Sequence, residues 1–469
     1  MKYKNIHMLG IGGTGMGSLA RLLVEKGYQV MGSDEKLYPP MSDQLAELKI
    51  KIYEGYSAEN LKERPDLIII GNVITKMNPE AQEVLRLGVP YRSMPQAVAE
   101  FFLKDKISIV VAGTHGKTTT ATLLAWLLYC AGEDPGFLIG GVGNNFEKSA
   151  HAGNGNVFVV EGDEYDTAFF DKGPKFLHYA PNAVLLTSIE FDHADIYRNL
   201  DHVKGSFRKL MEIIPPDGLL ICNGEDENAL EISRGAKCRV LTYGLKEGFD
   251  YFAKSIVSNE GGMSFELEGQ GRSNKFKTAL SGAHNLSNIA GSLALLIEYG
   301  ISPEKIQEGL STFKGVRRRQ EIVGEEKSVV VIDDFAHHPT AVEKTIEAMR
   351  QRYPERRLWA IFEPRSNTSR RNIFKDQFIK ALSRADRVII GGIFKAEKIP
   401  ENERLDVQSV ADALMRKGID AHYIPEAEHL VEFVLRNIIK DDVVLVMSNG
   451  AFDNVPERIL DGIKKRRII

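Results

Sequence analysis

The chain has 469 residues, 43% hydrophobic and 26% charged, the proportions of soluble globular protein, and it is long enough for about three domains with a core each. Sixty Lys and Arg against 64 Asp and Glu leave a formal charge of −4, so no strong field of either sign draws it to nucleic acid or an anionic membrane. No run approaches the about 18 apolar residues of a spanning helix. The opening MKYKNIHMLGIGG enters a strand and glycine turn directly, leaving no room for a secretory signal. Cys130, Cys222 and Cys238 lack CxxC spacing and predict neither disulfides nor a zinc site. A cytosolic, multidomain protein is expected.

In chain order, Asn5–Leu9 reads as a short strand, residues 16–26 as a helix, residues 28–31 as a second strand and Leu67–Ile70 as a third. This alternation predicts a parallel sheet with helices on its faces. A second unit begins near Lys106: a strand at 107–111, a glycine loop, a helix over 119–130, and buried strands at 157–160 and 183–188. Residues 218–278, with Gly- and Asn-rich turns, suggest an antiparallel appendage, and 285–299 returns to helix. After the charged stretch 317–327, strands at 329–332, Leu358–Phe362, 388–390 and Val443–Met447 alternate with helices at 341–351 and Val407–Arg416. The expected fold is α/β in three domains: a Rossmann-like sheet over 1–105, a P-loop-like unit over 106–320 and a second Rossmann-like unit over 321–469. The basic end, Lys464 to Arg467, reads as a frayed helix terminus.

Two glycine motifs carry chemistry. Gly10-Ile-Gly12-Gly13-Thr14-Gly15-Met16 follows a strand and opens a helix, so bare backbone and a helix N-terminus face a diphosphate. Asp34 stands where a ribose-binding acid belongs. Alone, this suggests NAD; a UDP-linked compound carries the same diphosphate, and a ligand-free tight turn is the plain alternative. The second motif, Gly113-Thr114-His115-Gly116-Lys117-Thr118-Thr119, joins a buried strand to an apolar helix. Its amides suit phosphate oxygens, Lys117 the β/γ end of ATP and a hydroxyl Mg²⁺. Val111 stands where the strict P-loop pattern has its first glycine, so the loop is a shorter variant. Acidic clusters end two later strands: Glu161-Gly-Asp163-Glu164-Tyr165-Asp166 and Glu190-Phe-Asp192-His193-Ala-Asp195. Strand C-terminal ends are where open α/β sheets bind ligands.

In order and spacing these motifs, with His284-Asn285-Leu-Ser-Asn288 and Asp333-Asp334-Phe-Ala-His337-His338-Pro-Thr, resemble the Mur ligases, a family of cell-wall peptide synthetases. The resemblance spans essentially the whole chain. It implies a first domain that holds a UDP-sugar through Gly10, Gly12, Gly13, Thr14, Gly15, Met16 and Asp34. It implies a middle domain that holds ATP and Mg²⁺, and a third that closes with the amine substrate. Lys117, Glu161 and His193 would be catalytic; Thr118, Glu161 and His193 would bind magnesium. Gly113 to Thr119, Asn285, Asn288, Arg318, Asp334 and His337 would surround ATP. Several members carry a carbamoylated lysine some fourteen residues past the aspartate–histidine motif; Phe207 falls near there, so no carbamate is expected.

Two branches act on UDP-N-acetylmuramate itself, one adding L-alanine and the other the tripeptide L-Ala-γ-D-Glu-meso-diaminopimelate. Tyr165 with its aromatic continuation, and Phe362-Glu-Pro-Arg365-Ser-Asn-Thr368, resemble the tripeptide branch. Arg365, Arg370 and Arg371 are then candidates for the peptide's carboxylates, because guanidinium forks match them; a solvated arginine face is the alternative. The expected activity is ATP-dependent amide ligation through an acyl phosphate, in peptidoglycan recycling. The expected partners are small molecules, with no nucleic acid or membrane, and the expected state is a monomer or weak homodimer. An NAD-dependent dehydrogenase would leave the second loop unused, and a non-catalytic nucleotide switch would leave the acid clusters unexplained.

Overall fold

The computed structural model describes residues 3–37, 41–193 and 196–466; Asp195 of the second acidic motif and Arg467 of the basic end lie outside them. The first sheet has five parallel strands, in the spatial order Lys51–Glu54, Gln29–Asp34, Asn5–Leu9, Leu67–Ile70, Tyr91–Ser93. Leu67–Ile70 is buried at every position, as expected of a strand covered on both faces. The chain reverses its winding direction beside Asn5–Leu9, so the first glycine loop opens at the crevice where such sheets bind ligands.

Ten strands form the central sheet. Ile107–Ala112 lies between Ala183–Leu186 and Val157–Gly162, parallel to both, so the second glycine loop and both acidic motifs leave the same edge. The helix Lys117–Cys130 buries Leu123, Leu124, Leu127 and Leu128 on the sheet, each worth roughly 1.5–3 kcal/mol of burial. The reading of 218–278 as an antiparallel appendage needs correction. Leu219–Asn223 and Arg239–Gly244 extend the parallel sheet around a helix, Glu227–Ser233. Only Tyr251–Asn259, Gly262–Gly269 and Arg272–Thr278 form the antiparallel meander, joined to the same sheet. Short polar turns disguised two ordinary buried strands.

The third sheet runs Glu321–Glu326, Val329–Asp334, Val443–Met447, Leu358–Phe362, Arg387–Ile390, Asp420–Tyr423, parallel except for its first edge. That edge lies inside the charged stretch expected to precede the unit; charged side chains suit an exposed edge strand. The first and central units share one apolar core, containing Leu22, Phe102, Phe158 and Phe207. Two polar ties cross the same junction: the Ser18 and Ser149 hydroxyls lie 2.7 Å apart, and the Ala152 amide donates to Glu25 at 3.0 Å. Among the described residues, no helix is long and apolar enough to cross a membrane.

Candidate active site

In the first loop, Gly10 takes φ +77°, and the Gly10 and Ile11 amides both donate to the Ser33 carbonyl, at 2.9 and 3.2 Å. The helix Thr14–Glu25 starts at Gly13 with no side-chain cap and no acid in its first turn, so its N-terminal partial charge faces the loop. Gly15 and the buried Met16 form that turn; a Cβ on Gly15 would meet Met94 Cε at 3.0 Å. Asp34 turns inward: it accepts from the Gly12 amide at 2.7 Å and from the Glu35 amide at 2.8 Å. Its observed partner is therefore the glycine loop. Below lies a buried network that sequence reading missed. The Glu80 carboxylate accepts from Ser33 at 2.5 Å, Asn60 at 2.6 Å and the Ser57 amide at 3.1 Å, with His7 at 3.2 Å. It anchors Ser33, the acceptor of the loop amides.

The second loop needs its glycines. A Cβ on Gly113 (φ +136°) would lie 2.1 Å from Thr187 Oγ1, and one on Gly116 (φ +82°) 2.6 Å from Asn288 Oδ1. Thr114 exchanges hydrogen bonds with Glu190: its hydroxyl accepts from the Glu190 amide at 2.9 Å and donates to that residue's carbonyl at 3.3 Å. Thr187 donates to the His115 carbonyl at 2.6 Å. Lys117 donates to Glu164 Oε2 at 2.8 Å. Burial opposes its charge, but Glu164 and Asp163 more than offset this and raise the ammonium's pKa. Thr118 donates to Glu161 Oε2 at 3.3 Å, and the Gly140 amide donates to Oε1 at 2.7 Å. Burial, then the neighbouring Asp163, pushes the Glu161 carboxyl up to about 7. Thr119 is buried in the helix that follows.

His193, in left-handed backbone (φ +52°), lies 3.6 Å from Glu164 and stacks at a tilt on Tyr165. Of the two expected magnesium ligands, Glu161 meets Thr118 directly, and His193 stands beside Glu164. Asn288 lies against Gly116, and Asn285 donates to the Ser281 carbonyl at 2.8 Å, both on the helix Ala283–Glu298. Arg318 Nε donates to Asp333 at 2.9 Å. The adjacent Arg319, which sequence reading did not single out, lies 3.5 Å from Thr118 Oγ1, with Glu161 and Asp334 as its charged neighbours. In a run of three arginines, the left-handed backbone at Arg318 (φ +58°) decides which one faces the site. Asp334 is buried and accepts from the Gln320 and Ala336 amides, both at 2.7 Å. His337 Nδ1 lies 3.0 Å from the Phe335 carbonyl, and burial lowers the imidazole's pKa against the opposing charge of Asp192.

The second acidic motif meets the third unit. Thr340 donates to Glu190 at 2.8 Å, and Thr368 donates to Asp192 at 2.9 Å. Glu190 is held down at about 2: its burial is outweighed by His115, Thr340 and His338. Beside it opens a cavity of 350 Å³ lined by Phe191, Asn228, His338, Phe374, Gln377 and Lys380, among others. Of the three candidate peptide-binding arginines, Arg365 stacks on Phe394 at 3.6 Å and pairs with Glu363 at 3.3 Å. Arg370 is buried and donates to the carbonyls of Ser366 and Phe394, at 3.3 and 3.1 Å. Arg371 pairs with Glu403. Arg370 and Arg371 thus tie their loop to the segment 394–403 beyond the strand Arg387–Ile390. Phe207 is a core ring, 5.5 Å from Phe176, and the nearby Lys204 pairs with Glu231 at 2.7 Å.

Three family models tile the chain: "Mur ligase family, catalytic domain" over residues 5–106, "Mur ligase middle domain" over 111–296 and "Mur ligase, glutamate ligase domain" over 318–450. The UDP-N-acetylmuramate–L-alanyl-γ-D-glutamyl-meso-2,6-diaminoheptandioate ligase of Escherichia coli (strain K12) is 40% identical over 98% of each chain. The UDP-N-acetylmuramate–L-alanine ligase of Acetivibrio thermocellus is 32% identical over 98% of this chain and 96% of its own. A crystal structure of a murein peptide ligase from Psychrobacter arcticus matches with a TM-score of 0.72 and 32% identity, over 99% of this chain and all of that one. The chain belongs to the Mur ligase family, ATP-dependent ligases of peptidoglycan synthesis.

Proposed function

We propose that the protein joins UDP-N-acetylmuramate to the tripeptide L-Ala-γ-D-Glu-meso-diaminopimelate at the expense of ATP. The observation that carries this reading is the full-length 40% identity to the tripeptide-adding ligase, against 32% to the alanine-adding one. In this reading residues 1–105 hold the UDP-sugar, 106–320 hold ATP, and 321–469 bring the peptide. All three sites lie within one chain, which works in the cytoplasm as a monomer or weak homodimer.

A carboxylate does not condense with an amine unaided. The muramate's lactyl carboxylate attacks the ATP γ-phosphorus, giving an acyl phosphate and ADP; the peptide amine then attacks the acyl carbon and phosphate leaves. The first step brings two anions together, so positioning and charge neutralisation dominate. Lys117 supplies a buried, fixed positive charge for the γ-phosphoryl group, and Arg319 a second above Thr118. Asn285, Asn288 and Asp334 hold the nucleoside; His337 stands beside them. Buried Glu161 and the Thr118 hydroxyl form a hard oxygen pair that fits Mg²⁺, with His193 approaching through Glu164. Bound there, magnesium would neutralise phosphate charge. Arg365 is the residue offered to a peptide carboxylate. Phosphate release with tripeptide or L-alanine as sole acceptor tests the assignment: tripeptide should be strongly preferred, and efficient alanine use with no tripeptide use would replace it by the alanine-adding activity.

A further inference from the structure

His115, Glu190 and His338 come from three separate segments: the second glycine loop, the second acidic motif and the start of the helix Pro339–Arg352. One ligand atom from each lies within 4.8 Å of the others. His115 Nε2 is 3.1 Å from Glu190 Oε2, and His338 Nδ1 is 3.7 Å from the same oxygen. The two imidazole rings are 4.9 Å apart. Metal arms of about 2.0–2.1 Å at tetrahedral angles place donors roughly 3.3 Å from one another, so the spacing already approximates a filled site.

The surroundings point the same way. His338 is 6% exposed. Its Nδ1 receives only a long contact, 3.4 Å, from the Thr340 amide. The Thr340 hydroxyl orients the carboxylate at 2.8 Å, as outer hydrogen bonds commonly orient metal-binding carboxylates. Glu190 and His338 also line the 350 Å³ cavity, which leaves a fourth position for water or an exogenous ligand.

We propose that His115, Glu190 and His338 form a binding site for a divalent cation of the zinc class, clamping the phosphate loop to the third domain. Two imidazoles and one carboxylate suit zinc, cobalt or nickel, whereas magnesium prefers an all-oxygen shell. The site is therefore separate from the Glu161–Thr118 pair and independent of which amine is accepted. Held by His115 on one side and His338 on the other, the cation would bridge two elements that otherwise meet here through Glu190 and the contact of the two rings.

The test is Co²⁺ titration of the full-length protein, freed of metal by chelation and kept in excess Mg²⁺, followed by visible absorption and by Zn²⁺ displacement. The expected result is one equivalent of low-symmetry Co²⁺ bands that Zn²⁺ abolishes, and a thermal midpoint raised by Zn²⁺ through mass action. Glu190→Gln and His338→Ala should each weaken binding by about tenfold or more. Glu190→Gln changes no volume, and His338→Gln keeps a polar group at the helix start, so circular dichroism on these separates lost binding from lost folding. Absent bands in the wild type would overturn the proposal. So would bands that survive in folded Glu190→Gln and His338→Gln, or that vanish in Glu161→Gln instead.

Discussion

The two glycine loops use one backbone device in two electrical settings. Each follows a parallel strand, turns through left-handed glycine and opens a helix. Around the first, the turn's ionisable partner is Asp34, which binds the Gly12 amide. Around the second stand Lys117, Glu161, Asp163, Glu164 and Arg319, all close and largely buried. Under the proposed function, the first loop would hold a diphosphate still and the second would manage charge that moves. Glycine spacing identifies the device, and only the residues around it identify the chemistry.

The comparison breaks most visibly at Lys117. Lys117→Ala should leave the fold intact and reduce phosphate release by about 10²–10³-fold or more, as for other preorganised electrostatic groups; near-normal turnover would make the loops equivalent. Next come the glycines themselves. Gly12→Val would drive a side chain toward Leu37 and Asp34, 2.5 and 2.9 Å from a Cβ. It should raise the KM for UDP-N-acetylmuramate at least about tenfold and spare that for ATP, since 1.4 kcal/mol is a factor of ten. Gly116→Ala, strained at φ +82° and crowding Asn288, should do the reverse.

The third-domain arginines sharpen the contrast between a residue that meets substrate and one that holds a loop. Arg365→Ala should weaken peptide use about ten- to a hundredfold, a charge-assisted bond being worth roughly 1.5–3 kcal/mol, with ATP and UDP-sugar KM values unchanged. Arg370→Ala should instead lower the thermal midpoint, because it strands backbone carbonyls that the guanidinium satisfies. The smallest effect is a titration. Burial, with Lys344 and His115 nearby, depresses half-buried His284 to about 3. The unfolded chain therefore takes up a proton below about pH 6.5 that the folded one refuses, and stability falls as pH drops through that value. His284→Gln should flatten the midpoint-versus-pH slope between pH 7 and 5.

Both loops, the strand ends that carry the acids and the three-sheet plan were legible because strand, glycine turn and helix are local patterns. What escaped depended on tertiary placement. Nothing in Arg317-Arg318-Arg319 says which guanidinium turns inward; a single left-handed residue does. Glu161 and Glu164 look interchangeable until Lys117 and His193 are seen to share the second. Arg370 read as a candidate for a peptide carboxylate because the backbone acceptors it ties together leave no trace in composition. Residues 219–223 and 239–244 hid among polar turns although they continue the buried sheet.

The salt bridge between Lys117 and Glu164 has a consequence for how ATP arrives. Lys117 faces the Glu164 carboxylate at 2.8 Å, the position that a phosphate oxygen would claim under the proposed function. Under the proposed function, nucleotide entry would exchange one counter-ion of Lys117 for another, with His193 already 3.6 Å from the other Glu164 oxygen. Glu164 balances the buried ammonium from within the same domain, so the loop need not hold a bare cation.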